Sequence, residues 1–454
     1  MSHERAAKLS RRSFITRSAA TGFTVMAGGG LLAACGSSSE SSPSGGGAGN
    51  PGGKLKGPIA YQGPLTAWVI GDQLEAAAGA VSQQLGLELK KVNYNGDSDK
   101  QLAQIDQLGT LGVTGINTLI LDGGLARQLA TACVRNRTYL SSWATMGPWV
   151  VPCEPEIAFH YQGLANPADG AYVMCVNMFE EMGGRGTFAH LSGSGGVSTS
   201  PAKDKAVDRA LKQYPGIELV AREYGEYNRE KSRQVMTNIL SKTGGRVDAV
   251  YCQSDDEAVG ALDALRERNL VGKTLVAGAD GIPEFIDAII DGRAFGTEGA
   301  APIFGGGYTL VQALDASAGH RPKPTETLMY QDLLIIDNKA SATAFKQQAL
   351  AKGAAGRLFD YGLMSRIEHP DDWDPQWPLR TFDPEEYWGV AQGVAKPNGY
   401  ELPEEYTRAA AAGQRREVDA EYAQQLRRFA LAEVARLSRT RKTLFEQLDA
   451  AAGA

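Results

Sequence analysis

Seven polar or aromatic side chains stand shortly after short apolar runs, where their types and spacing would let them share one ligand. They are Trp68, Asp122, Trp143, Lys203, Tyr227, Ser254 and Asp280. Carboxylates, hydroxyls and an ammonium group exchange hydrogen bonds with vicinal hydroxyls, and an aromatic face packs on the apolar side of a sugar ring. The combination predicts a site for a sugar or polyol that uses no metal ion or cofactor.

Several of these residues, and Asp255 beside Ser254, also have a structural alternative that the sequence leaves open. Trp68 and Trp143 could be rim or core aromatics. Asp122 could cap the helix that begins near Ala126, and Asp255 could cap the helix it precedes, because Asp is favoured at that position. A ligand site is therefore expected only if the surrounding elements bring the side chains together.

The segments between these residues alternate between strand and helix patterns. The predicted strands are residues 59–62, 87–93, 116–121, 139–143, 157–161, 186–191, 218–224, 249–253, 274–279 and 294–298. The predicted helices are residues 74–85, 100–111, 126–136, 168–182, 202–214, 230–242, 257–268 and 283–291. Strict alternation demands parallel sheets, because parallel neighbours need crossover connections, and ligands of such sheets bind beyond the carboxyl ends of the strands. The seven residues lie at those ends.

The first 35 residues read as an export signal. Ser10-Arg11-Arg12-Ser13-Phe14-Ile15 is followed by an apolar run and then by Leu32-Ala33-Ala34-Cys35, which predicts a twin-arginine signal cleaved before Cys35. A diacylglycerol on Cys35 would supply two acyl chains, enough for durable anchoring. The alternative is an accidental arginine pair before a core helix.

The net charge of the exported part limits the kinds of partner it can bind. Residues 1–34 contain five Lys or Arg and one Glu, so the remainder carries 41 basic against 51 acidic side chains, a formal net charge of −10. This balance argues against a binder of nucleic acid or anionic lipid, which needs basic patches for phosphate contacts.

Of the cysteines other than Cys35, Cys133 and Cys153 could pair outside the cytoplasm, whereas Cys175 and Cys252 have the patterns of buried residues.

Four segments resemble the ribose-binding-protein family, the type I solute-binding proteins of ABC sugar importers. They are Gln101-Leu-Ala-Gln104-Ile105, Gly115-Ile-Asn-Thr-Leu-Ile-Leu-Asp122, the run from Tyr251 to Leu262, and Val276-Ala-Gly-Ala-Asp280-Gly281. The resemblance covers roughly residues 56–334. It implies two doubly wound α/β lobes of parallel sheet, joined by a three-strand hinge, with the ligand closed between them.

The resemblance also assigns roles by position. Trp68 resembles the stacking aromatic of the family and Asp122 a polar strand-end contact. Tyr227 falls at an aromatic contact and Asp280 at a near-invariant carboxylate. Lys203 falls where the family usually has an arginine that clamps a ring hydroxyl.

The departures from the family pattern concern the ligand. Lys203 lacks the planar fork of arginine, and Ser254 is shorter than the usual Asn or Asp. Trp143 stands near a frequent carboxylate position, and Ala300 replaces a frequent glutamine. A standard pentose or hexose therefore does not follow, and an inositol-like ring, another polyol or a modified sugar fits as well.

Together these observations predict the domain plan and the partners. The plan is a signal peptide over 1–34, a lipid-anchored tether over 35–55, a first lobe over 56–158 and 299–327, a second lobe over 159–298 and 328–340, and a mostly helical extension over 341–454. The implied partners are a sugar or polyol, an ABC transporter permease and the membrane that holds the lipid. The chain is expected to be a monomer outside the cytoplasm.

An enzyme is the competing class. The sequence has no GxSxG, HExxH, calcium-loop or Walker motif, and the loop that begins Gly193-Ser-Gly195-Gly196 lacks the Gly-Lys-Ser/Thr of a phosphate loop. We therefore predict a binding protein and no enzyme. Twin-arginine export keeps an oxidoreductase or carbohydrate-active enzyme as an alternative, and a sensor for a chemoreceptor or kinase would use the same cleft.

The C-terminal extension contains an amphipathic helical pattern over residues 417–449. Its apolar positions include Val418, Tyr422, Leu426 and Phe429. We expect this helix to brace the outside of the lobes rather than to dock a partner or form a lid. Its basic side chains are expected to form a solvated face: Arg427, Arg428, Arg436, Arg439, Arg441 and Lys442.

Overall fold

The computed structural model describes residues 54–65, 69–144, 147–153, 159–164, 167–194, 199–299 and 301–452. The predicted signal peptide, the lipidation residue Cys35 and most of the tether lie outside this part of the chain. So do Trp68 and Ala300.

The strands form two sheets. The seven-stranded first sheet has the order β13-β11-β5-β4-β3-β1-β2, and the six-stranded second sheet has the order β12-β10-β9-β8-β6-β7. The strands of the first sheet are β1 (Ile59–Gly63), β2 (Leu89–Asn93), β3 (Gly115–Thr118), β4 (Tyr139–Trp143), β5 (Phe159–Leu164), β11 (Leu328–Gln331) and β13 (Leu379–Thr381). Those of the second are β6 (Arg185–Ser192), β7 (Gly216–Tyr224), β8 (Ala249–Cys252), β9 (Leu275–Asp280), β10 (Gly296–Gly299) and β12 (Leu334–Ile336). Neighbouring strands are parallel except for the pairs β11–β13 and β10–β12.

Helices follow most of these strands up to residue 317. They are α1 (Val69–Leu85), α2 (Ser98–Thr110), α3 (Ala126–Asn136), α4 (Pro167–Glu181), α5 (Thr199–Gln213), α6 (Arg229–Lys242), α7 (Asp255–Glu267), α8 (Pro283–Ile290) and α9 (Pro302–Ser317). Every strand and helix predicted up to residue 298 has an observed counterpart whose bounds lie within five residues. The predicted fold class, two parallel α/β sheets with a helical C-terminal region, is confirmed.

Burial along the strands follows their places in the sheets. The interior strands β1 and β8 are buried at every residue, as expected where helices cover both faces. The edge strands β2 and β7 include exposed residues. Edge position alone does not expose a strand, because β12 at the edge of the second sheet is also buried at every residue.

Within the described residues the chain passes between the two sheets four times. The first three passages, β5 to β6, β10 to β11 and β11 to β12, agree with the expected hinge. The fourth leads from β12 to β13, where the extension joins the first sheet. The predicted lobe boundaries group residues 159–164 and 328–331 with the second lobe, whereas β5 and β11 hydrogen-bond within the first sheet.

The extension is built from short helices. They are α10 (Lys339–Ala349), α11 (Ala354–Leu358), α12 (Glu404–Ala411), α13 (Gln414–Gln425), α14 (Ala432–Leu437) and α15 (Leu444–Ala452). The prediction of one helix over 417–449 is wrong, because the backbone is extended at Leu426 and again at Ser438. Val418 and Tyr422 on α13 are buried as the pattern predicts. None of the helices in the described ranges is long and apolar enough to cross a bilayer.

Tertiary contacts break the predicted helix. The ring of Phe429 packs edge-on against Trp377 with 5.0 Å between centroids, and the N–H of Ala430 donates to the carbonyl of Gln376 over 3.2 Å. These bonds replace helical ones at residues 426–431. The six basic residues of the pattern are all exposed as predicted, although no single helix carries them.

The extension also belongs to the main apolar core rather than lying outside it. Trp373, Trp377 and Tyr422 are almost fully buried and cluster with residues of α1, α9 and both sheets.

The four described cysteines have free thiols. Cys133 is buried and does not pair with Cys153, and Cys175 and Cys252 are buried as predicted.

Candidate binding site

The ends of β9 and β10 meet the second turn of α5 around the ammonium group of Lys203. Lys203 is 9% exposed, and its Nζ lies 2.9 Å from Oε1 of Glu298. Nζ also donates to the carbonyl of Gln253 over 3.1 Å. Burial by itself would lower the pKa of Lys203, but the neighbouring carboxylates of Glu298 and Asp280 raise it above its usual value. The site therefore holds a protonated ammonium that is paired with a buried carboxylate.

Asp280 ends β9 with its carboxylate half-buried. No described residue donates a hydrogen bond to it. Burial raises the pKa of Asp280 to about 7, although Lys203 acts in the opposite direction. Its φ of 119° is rare for a residue other than glycine and costs roughly 1–3 kcal/mol. Such a strained, unpartnered acceptor at a strand end is available to a ligand.

Asp255 fixes the turn that carries Asp280. Its Oδ2 accepts from the N–H groups of Gly281 and Ile282 over 2.7 and 2.9 Å, and its Oδ1 accepts from the hydroxyl of Thr297 over 2.8 Å. The capping role considered for Asp255 is therefore wrong, because these donors occupy its carboxylate. Asp255 positions a site residue instead.

Ser254 is the residue that caps α7. Its hydroxyl accepts from the N–H of Glu257 over 3.2 Å, and Oε2 of Glu257 accepts from the N–H of Ser254 over 3.1 Å. Oε1 of Glu257 accepts from the N–H of Tyr227 over 2.9 Å. Burial raises the pKa of Glu257 to about 7. Ser254 thus serves the framework of the site, and direct ligand contact by it stays a prediction.

Tyr227 reaches the same strand ends from the loop after β7. It and Glu226 both have left-handed backbone, with φ of 56° and 57°. Its ring lies against Gly193, where an added Cβ would come within 2.1 Å of Cζ. Only glycine at position 193 leaves room for this ring, which burial gives a raised pKa.

A buried network supports the floor of the site. Asp204 binds Nε2 of His190 and the hydroxyl of Ser192, both over 2.7 Å, and accepts from Nε2 of Gln253 over 2.9 Å. Oε1 of Gln253 accepts from the N–H of Gly193 over 3.0 Å. Gln253 is thereby fixed in the place where its carbonyl receives Lys203.

The first-sheet candidates have structural partners. Asp122 is exposed and caps a short 3-10 turn by accepting from the N–H of Gly124 over 3.0 Å. Trp143 is 3% exposed, and its Nε1 donates to Oε1 of Gln331 over 2.8 Å, so the core alternative describes it. Trp68 lies outside the described residues. Ligand contact by these residues remains a prediction, whereas Lys203, Tyr227 and Asp280 are brought together.

Sequence reasoning missed Glu298. It is 3% exposed in β10, where its Oε1 also accepts from the hydroxyl of Tyr251 over 3.0 Å. The available signal was a carboxylate inside a predicted strand, because buried acids are rare unless they are paired.

A groove elsewhere on the protein is separate from the predicted site residues. A groove of about 510 Å³ lies between α1 and the loop after α10, and Pro283 and Ile303 also line it. No predicted site residue is among the described residues of its lining. No group of three or more His, Cys, Asp or Glu side chains in the described ranges could hold a metal ion. The convergent charges at the strand ends mark the candidate site.

Comparisons with known proteins agree on one family. The model of a periplasmic binding protein domain matches residues 69–321. The xylitol-binding protein of Mycolicibacterium smegmatis is 31% identical over 212 residues, which cover 46% of this chain and 58% of that protein. The ribose import binding protein RbsB of Haemophilus influenzae is 23% identical over 246 residues, or 53% of this chain and 78% of that protein.

A solved structure shows the same fold. The solute-binding protein of an Actinobacillus succinogenes ABC transporter, with bound D-allose, aligns with a TM-score of 0.58 and 21% identity. The alignment covers 63% of this chain and 99% of that one. The C-terminal extension lies beyond the matched domain. The chain spans little more than half the length of its xylitol-binding relative.

Proposed function

Because the chain belongs to the periplasmic binding protein family, we propose that it captures a sugar or polyol outside the cytoplasm and delivers it to an ABC importer. The family and the names of the relatives support a binding protein and no enzyme, as the sequence predicts. Delivery rests on the resemblance to importer components.

The proposal rests on one acceptor and one donor that lie side by side. No described residue donates to the carboxylate of Asp280, and the ammonium of Lys203 is held by Glu298 and by the carbonyl of Gln253 with one N–H left for a ligand. Tyr227 adds an aromatic ring beside them. Carboxylate and ammonium together can bind neighbouring hydroxyls while the ring packs on C–H groups.

Closure is the proposed signal to the importer. The chain runs between the two sheets, so rotation about these passages opens and closes the space between them. A ligand that contacts both lobes favours the closed state, because only that state makes both sets of contacts. The permease would then recognise the closed protein.

We further propose that Cys35 carries a lipid and holds the protein at the membrane. Replacing it in Cys35→Ser should move the exported protein from the membrane fraction to the soluble one. Retention of this variant in the membrane fraction would contradict the anchor.

A ligand screen tests the binding function. Thermal shift and calorimetry with xylitol, D-allose, D-ribose and myo-inositol should identify at least one stabilising ligand. Asp280→Asn should lower the affinity for that ligand by about ten- to a hundredfold, since a charge-assisted hydrogen bond contributes about 1.5–3 kcal/mol. Asp291→Asn, at an exposed ion pair with Arg293, is the matched control. Turnover of a carbohydrate without any such binding would refute the proposal.

A further inference from the structure

Glu298 is a buried acid in a place where a strand normally carries an apolar side chain. It stands opposite Ala279 of β9 and Ile335 of β12 and is 3% exposed. Burying a carboxylate is unfavourable unless the charge is paired and hydrogen-bonded. Its presence therefore points to a function for the charge itself.

The surroundings of Glu298 supply partners for one of its two carboxylate oxygens. Oε1 contacts Nζ of Lys203 over 2.9 Å and accepts from the hydroxyl of Tyr251 over 3.0 Å. Oε2 has no hydrogen-bond partner in the described structure and lies against Gly170, where an added Cβ would come within 1.8 Å of it. Gly170 is in the first turn of α4, a position that favours negative charge.

This pairing decides which charge the ligand meets. Two of the three N–H groups of Lys203 bond to Glu298 and to the carbonyl of Gln253, so one N–H remains for a ligand. The charge of Lys203 is balanced by Glu298, whereas the neighbouring carboxylate of Asp280 has no ion pair among the described residues and is mostly ionised at pH 7.5, above its pKa of about 7. A ligand carboxylate would meet net negative charge there.

We propose that Glu298 sets the charge class of the ligand, so that the site binds neutral sugars or polyols and rejects the corresponding sugar acids. The inference rests on the proposed binding function and adds a residue that determines specificity. Glu298 acts through Lys203, which it holds in place and neutralises.

Matched ligand pairs test this inference in the full-length protein. Calorimetry at pH 7.5 would compare xylitol with xylonate, allose with allonate, and galactose with galacturonate. The wild-type protein should prefer the neutral member of the pair it binds by at least tenfold. Glu298→Gln should reduce this preference at least tenfold, because Lys203 is then unbalanced. Glu267→Gln, at an exposed ion pair with Arg233, should leave the preference unchanged.

A double variant shows whether the ligand preference depends on charge or instead on a changed shape of the site or a failure to fold. Lys203→Gln/Glu298→Gln removes both charges and should keep the preference for the neutral ligand, although the affinity falls. A wild-type protein that binds the acid as tightly as the neutral compound would overturn the inference while leaving the binding function intact. An unchanged preference in Glu298→Gln would overturn it too. Failure of every neutral and acidic compound to bind would refute the proposed function as well.

Discussion

The backbone N–H of Phe445 donates to Oδ1 of Asp332 over 2.9 Å. Asp332 lies in the two-residue passage between β11 and β12, so the last helix of the chain is bonded to the connection between the sheets. Leu444 donates to the carbonyl of Leu333 over 3.0 Å, and Nε1 of Trp377 donates to the carbonyl of Asp332 over 3.0 Å. The extension thus supports the hinge directly.

Truncation after Ala340 should abolish cooperative folding. The shortened chain loses Trp373, Trp377 and Tyr422 from the main core, and removing one large buried aromatic side chain alone costs about 3–5 kcal/mol. Calorimetry of residues 54–340 against 54–454 should show no sharp transition for the shorter chain. A cooperative transition at the same temperature would refute a shared core.

Arg366 joins the extension to the body of the protein. Its guanidinium binds Glu326 over 2.6 Å and Glu421 over 2.7 Å and lies 3.8 Å from the ring centroid of Trp373. Arg366→Ala leaves Glu326 buried without its partner and should cost about 3–5 kcal/mol of unfolding free energy.

The control for this change is Arg408→Ala. Arg408 forms an exposed pair with Glu404 one turn away, and such pairs contribute about 0.3–0.5 kcal/mol. Urea unfolding monitored by circular dichroism would give both values. Equal losses in the two variants would show that burial of the Arg366 pair does not matter.

Gly305 and Gly79 make a matched pair of helical glycines. A Cβ on Gly305 of α9 would come within 1.9 Å of the indole Nε1 of Trp143, whereas a Cβ on Gly79 of α1 meets nothing within 4 Å. Gly305→Ala should destabilise by about 1–3 kcal/mol through overpacking. Gly79→Ala should stabilise by up to about 1 kcal/mol, because alanine favours helix. Thermal unfolding distinguishes the two, and a stabilising Gly305→Ala would contradict the packing of Trp143.

Stability should depend on pH through buried carboxyls. Burial raises the pKa of Asp315 and of Asp332 to about 7. Because the folded pKa lies above the unfolded value near 4, the stabilising contribution is present at low pH and is lost as pH rises through 7. Each group should therefore raise the free energy of unfolding by about 1.4 kcal/mol when the pH falls from 8 to 6.

Calorimetric melting temperatures across this interval check the effect. The wild-type protein should melt higher at pH 6 than at pH 8. Asp315→Asn should show a smaller difference, because one of the titrating groups is gone. A melting temperature that falls between pH 8 and pH 6 would oppose the prediction.

The layered architecture could be predicted because its signals are local. β4 and α3 occupy the predicted residues without a shift, since alternating apolar runs and turn residues determine such elements from neighbouring positions. Lys203 and Asp280 could be chosen for a related reason. Residues that follow parallel strands necessarily meet at one edge.

Other features depend on contacts that are distant in sequence. Lys203 meets Glu298 only after α5 and β10 have packed together, so the strand pattern could not identify that pair. Trp143 turns toward the core because Gly305 leaves room for its ring. The predicted C-terminal helix breaks because Phe429 packs on Trp377. Helical periodicity contains no information about these partners.

The pairing of β13 with β11 has a consequence for self-association. An open sheet edge offers unpaired N–H and C=O groups to another chain, and short or charged edge strands suppress that contact. β13 has only three residues, and its Arg380 binds Asp449 over 2.6 Å. At the opposite edge β2 carries Lys90 and Lys91. The first sheet thus ends on both sides in strands that discourage strand addition and aggregation.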